Sequence, residues 1–119
     1  MLSIKSLKYR IQVYQQESGK APYEEWASGL DKPVRARISA RVARFEDGHF
    51  GDHKPLGDGV FEARFFIGPG YRVYFAIHGG QVILLLTGGD KSSQNKDVRN
   101  AKEFFKAYLE EIKDANKKS

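Results

Sequence analysis

The stretch GPGYRVYFAIHGGQVILLLTGGDKSSQ, residues 68–94, governs how the rest of the chain is read. Tyr71, Val73, Phe75 and Ile77 alternate with Arg72, Tyr74 and Ala76, the period of two that marks a strand with unlike faces. His78 to Gln81, HGGQ, puts two glycines where a tight hairpin requires positive φ. Residues 82–86 are apolar without alternation, which suits a central strand covered on both faces. That strand then leaves into glycines, Asp90, Lys91 and two serines. The exit of a buried strand is where a sheet usually presents chemistry.

Upstream, Val60 opens another strand, with Phe61, Ala63, Phe65 and Ile67 on one face and Glu62 and Arg64 on the other. GPG at residues 68–70 is a turn. The preceding segment, GHFGDHKPLGDG at residues 48–59, holds four glycines and a proline and is expected to be a loop. Farther back, Leu7, Tyr9, Ile11 and Val13 alternate with polar residues and predict a first strand. Pro22 starts a short helix through Tyr23, Glu24, Glu25 and Trp26, ended by Gly29. Asp31 caps a second helix with Pro33 in its first turn; Val34, Ile38, Val42 and Phe45 share one face, and Gly48 stops it. Downstream, Val98, Ala101, Phe105, Tyr108 and Ile112 step by three and four and predict a C-terminal helix, followed by a frayed tail, KDANKKS.

The expected fold is a single α+β domain over residues 1–119, ordered β-α-α-β-β-β-α. A small, mostly antiparallel twisted sheet of about four strands carries two N-terminal helices and one C-terminal helix. The hairpins make the last three strands antiparallel, while the first, reached through a helical crossover, is free to pair parallel.

With 119 residues the chain can bury a core without covalent staples. Cysteine is absent, which excludes disulfides and thiolate metal sites and fits a reducing cytoplasm. No signal peptide or membrane-length apolar run is present, so a cytoplasmic protein is expected. Twenty Lys and Arg against fifteen Asp and Glu give a formal charge of +5, which favours an anionic partner.

Several chemistries are dismissed by spacing. TGGDKSS lacks the separation of glycines and lysine that a nucleotide phosphate loop needs. His49 and His53 fall in a glycine-rich loop that does not bring them onto one helical face, so neither metal nor cofactor is expected. What remains is basic. Arg64 and Arg72 lie on the polar faces of adjacent strands and Lys91 follows the next, so a twisted sheet could gather all three to hold phosphates and stabilise charge at an attacked phosphodiester. Pairing with Glu62, Asp58 or Asp90 across the sheet is the structural alternative. Tyr71 and Tyr74 flank Arg72 and suit either base stacking or the core. Arg37, Arg41 and Arg44 form a stripe beside the apolar face of the second helix, either a solvated flank or a surface for RNA or an acidic partner.

The succession FEARFF, GPGYRVYF, an apolar strand and LLLTGGDKSSQ before a helix resembles toxins of the RelE/ParE superfamily. More narrowly it resembles the HigB-like branch of phage-derived Gp49-like, or addiction module killer, proteins. The resemblance spans nearly the whole chain, includes the YEEW helix, and is densest from Lys54 to Gln94. It implies a metal-independent, cofactor-free endoribonuclease that cuts messenger RNA in the ribosomal A site and arrests growth. By position it assigns Arg64, Arg72 and Lys91 to the scissile phosphate, with Lys54 a looser match in a variable loop; Tyr71, Arg37, Arg41 and Arg44 are further RNA-contact candidates. It also implies a helix-turn-helix, HigA-like antitoxin whose complex with the toxin binds operator DNA, and no membrane. RelE-like nucleases usually carry a tyrosine or histidine shortly after the last strand, and KSSQNKDVRN at residues 91–100 has neither. The resemblance therefore leaves open a ParE-like gyrase poison that acts by protein contact.

Overall fold

The computed structural model describes residues 8–118. The elements run β1 (Arg10–Val13), α1 (Pro22–Ser28), α2 (Lys32–Ala43), β2 (His53–Gly57), β3 (Val60–Phe65), β4 (Tyr71–His78), β5 (Val82–Gly89) and α3 (Gln94–Lys118), with 3-10 turns at Arg44–Asp47 and Lys91–Ser93. The five strands form one mixed sheet in the order β1-β5-β4-β3-β2. β1 pairs parallel with β5 across the helical crossover, and all other neighbours are antiparallel.

The fifth strand corrects the expectation of about four. Residues 53–57 form β2 inside the segment expected to be a loop, because Asp58 and Gly59 both take positive φ, 58° and 80°, and close a tight hairpin onto β3. β2 lies at the sheet edge, where Pro55 is tolerated since one side of the strand needs no ladder partner. The first strand is shorter than its alternation suggests, beginning at Arg10; Leu7 lies outside the described residues.

Each face of the sheet buries its own cluster. Ala63, Phe65, Val73, Phe75, Ile83 and Leu85 pack against Tyr23 of α1, Ile38 and Val42 of α2, and Phe45 in the turn after it. On the other side Val60, Tyr74, Ala76, Leu84 and Leu86 meet Ala101 and Phe105 of α3. β5 is consequently buried at every position, as an unbroken apolar run requires. Fully burying such a side chain contributes about 1.5–3 kcal/mol, so this central strand anchors both layers.

β5 does not end at Leu86 but continues through Thr87, Gly88 and Gly89. A Cβ on Gly88 would run into the indole of Trp26, and one on Gly89 into the carboxylate of Asp97. The two glycines thus let α1 and α3 close onto opposite faces of the strand end. Neither has a left-handed backbone, so close approach and not turn geometry demands them here. α3 starts at Gln94, earlier than its apolar spacing suggests, and remains helical to Lys118, so residues 113–118 are helix where a frayed tail was expected; Ser119 lies outside the described residues. No helix among the described residues is long and apolar enough to cross a membrane.

Candidate functional site

Register gathers the charged residues of three strands. Arg64 stands opposite Arg72 and Glu62 opposite Tyr74 across β3–β4, while Lys54 faces Glu62 across β2–β3 and Arg72 faces Gly89 across β4–β5. Cross-strand partners share a sheet face. Lys54, Glu62, Arg64 and Arg72 therefore lie on the face that carries α3, with the Arg64–Arg72–Gly89 row at the end where α3 begins.

Each arginine of that row has its own carboxylate. Arg64 holds Asp52 in a forked contact, Nε to Oδ2 at 3.0 Å and Nη2 to Oδ1 at 3.2 Å, and about a third of each side chain stays exposed. Arg72 is more deeply set. Its Nε lies 3.6 Å from Oε1 of Glu62, and its Nη1 donates to the Gly70 carbonyl at 2.9 Å. Glu62 is fully buried and also faces Nζ of Lys54 at 3.9 Å, while its Oε2 accepts from Nε2 of Gln94 at 3.0 Å. Tyr74, buried beside it, has its phenol pKa pushed up, first by burial and next by the Glu62 charge. The structural alternative weighed for these arginines thus holds in part, with Glu62 taking Arg72 and Asp52 taking Arg64.

The β5–α3 junction adds exposed cations. Asp90 caps the turn by accepting from the Ser92 N–H and hydroxyl, and these bonds hold its carboxyl below the usual range. Ser93 donates to Asp97, whose burial pushes that carboxyl up. Lys91, exposed, has no carboxylate at ion-pair distance among the described residues. Gly70 lies between its base and Arg72: a Cβ there would sit 3.5 Å from Arg72 Nη1 and 3.8 Å from Lys91 Cβ. Lys91, Lys96 and Arg99 then line a cleft of about 690 Å³ with Ser92, Ser93, Gln94 and Asn95.

The structure brings together Arg64, Arg72, Lys91 and Lys54, the last on an ordered strand instead of in a variable loop. It separates the other candidates. Tyr71 points to the opposite face, where its ring meets Trp26 edge-on at 6.3 Å. The arginine stripe divides. Arg41 is half-buried over the Phe65 ring and donates to the carbonyls of Phe50, Asp52 and Arg64, whereas Arg37 and Arg44 are exposed. The His53 ring sits tilted against Phe50, with Nδ1 2.8 Å from the Gly51 carbonyl, and no cluster of three potential metal ligands occurs among the described residues. Sequence reasoning treated Glu62 only as a pairing alternative and passed over Asp52, Gln94, Lys96 and Arg99. For Glu62 a signal existed, since Glu62 and Arg64 alternate in FEARFF and must share a face.

Residues 25–119 match the family described as "Phage derived protein Gp49-like (DUF891)". A Haemophilus influenzae protein, described as "Uncharacterized protein", is 46% identical over 81 residues, which are 67% of this chain and 82% of that one.

Proposed function

The chain belongs to the phage-derived Gp49-like family, and from that premise we propose that it is the toxin of a toxin–antitoxin pair, acting as a metal-independent endoribonuclease on ribosome-bound messenger RNA. The carrying observation is the row in which Arg64 and Arg72 face each other and Lys91 adjoins Arg72. The free edge of the Arg72 guanidinium and the exposed Lys91 ammonium, with Arg64 beside them, bind a phosphodiester and stabilise the charge that develops when the neighbouring 2′-hydroxyl attacks it. Lys54 extends the same face, and the Lys91–Arg99 cleft offers a continuing path for the RNA backbone. The ribosome presents the strand, and Arg72 and Lys91 hold the scissile phosphate. A small helix-turn-helix antitoxin, HigA-like and encoded alongside, neutralises this basic face and carries the complex to operator DNA. Expression in growing cells followed by mapping of messenger RNA 5′ ends tests the proposal. Codon-linked cuts in translated messages support it.

A ParE-like gyrase poison is the second reading, and a specific observation favours it. Residues 91–100 contain no tyrosine or histidine, Tyr71 faces Trp26, and Tyr74 is fully buried, so none of these phenols opens onto the arginine row. Intact messages accompanied by an SOS response would select this reading.

A further inference from the structure

We infer that Glu62 is the positioning residue of the basic face, a buried carboxylate that aims Arg72 and Lys54 at a phosphate and ties them to the start of α3 through Gln94. The inference rests on the proposed role of Arg72 as a phosphate contact. Glu62 has no exposed surface, so it cannot touch RNA itself and acts through its neighbours. Those neighbours come from three elements: Lys54 on β2, Arg72 on β4 and Gln94 on α3. Stability alone does not account for such a group, since buried ion pairs of this kind are often replaceable by apolar side chains without loss. Orientation does account for it. Arg72 Nε is buried and has no hydrogen-bond acceptor; the carboxylate at ion-pair distance from it among the described residues is Glu62, with Oε1 at 3.6 Å, while Asp90 adds a more distant negative charge. With Nη1 committed to the Gly70 carbonyl, the guanidinium is fixed on that side and its Nη2 edge has no protein acceptor among the described residues.

The test pairs a spectroscopic signal with activity. In the parent protein, hydrogen exchange at the Arg72 Nε–Hε group, assigned by its loss in Arg72→Lys, should be slow. Glu62→Gln keeps the side-chain shape and an oxygen for Gln94. It should keep the folded backbone amide spectrum at the assay temperature although its thermal midpoint falls with the loss of the charge that counters Arg72, speed Arg72 Hε exchange, and lower messenger RNA cleavage on ribosomes by about tenfold to a hundredfold. Unchanged Arg72 exchange in the folded variant overturns the inference, as does a fall in cleavage no larger than the fraction of the variant that is unfolded at the assay temperature. If the parent does not cleave at all while its Arg72 signal is protected and the variant's is not, the nuclease proposal fails and the positioning role stands. Should Glu62→Gln not fold, the parent decides: an Arg72 Hε exchanging as fast as that of exposed Arg37 overturns the inference, and a protected one supports it.

Discussion

Arg64 and Arg72 stand directly opposite one another across β3 and β4, each held by a different carboxylate, Asp52 for the first and Glu62 for the second. Like charges in that position destabilise a sheet unless countered. Countering each from its own side keeps two guanidinium groups on one face without leaving either bare. Lys91, beside Arg72, is not countered in this way, so it is the cation best placed to be neutralised by a ligand.

Lys91→Ala should therefore separate function from folding. Lys91 is exposed and free of ion pairs among the described residues, so stability should change by no more than about 0.5 kcal/mol. Loss of one transition-state charge contact costs about 2.7–4 kcal/mol, a fall of roughly a hundredfold to a thousandfold in cleavage rate. Growth arrest on expression, read beside the denaturation midpoint, checks both parts.

Arg41 should behave in the opposite way from its neighbours on the helix. Arg41→Ala strips hydrogen bonds from the carbonyls of Phe50, Asp52 and Arg64 and should destabilise by about 1–3 kcal/mol. Arg37→Ala and Arg44→Ala, both exposed, should stay within about 0.5 kcal/mol. Urea unfolding of the three variants decides the matter, and equal midpoints would show that Arg41 is not a structural clamp.

Gly88→Ala should destabilise by about 1–3 kcal/mol by forcing Trp26 off the strand end. Trp26→Leu in the same chain should recover part of that loss, since it removes the ring that the new methyl meets. A double-mutant cycle in thermal unfolding reads the coupling; full additivity would mean that the glycine serves something other than this contact.

Alkaline pH should unfold the protein through buried phenols. The Tyr23 pKa is pushed up to about 12 from 10.0, first by burial and second by the Glu24 charge. A phenol raised in the folded state gives its full stabilising share below its unfolded pKa and loses it as pH rises through the folded one. Stability should fall between pH 10 and pH 12, and less so in Tyr23→Phe. Urea midpoints for parent and variant at about pH 9 and about pH 11 measure the difference; parallel falls in the two proteins would contradict the assignment.

Where neighbours in sequence decide the outcome, the fold was legible. Alternation in β3 and β4 placed Arg64 and Arg72 on polar faces, and the unbroken run in β5 foretold burial from both sides. The same alternation sets Tyr71 and Arg72 on opposite faces, so joining both to one site ran against the period. β2 was obscured by its glycines and proline, although Asp58-Gly59 is a hairpin signal that calls for a strand on either side. The remaining features depend on contacts distant in sequence. Arg41 serves carbonyls from residues 50, 52 and 64, Gly88 makes room for Trp26, and Glu62 joins Lys54, Arg72 and Gln94. No local pattern encodes those distances.

The most direct test of the nuclease proposal is a purified translation reaction in which one messenger RNA is offered to the protein naked and on ribosomes, with 5′ ends mapped in each. The account predicts cuts at codon-linked positions on ribosome-bound message only, lost in Lys91→Ala while that variant still folds. Intact message on the ribosome, from a preparation that arrests growth in cells, would contradict it.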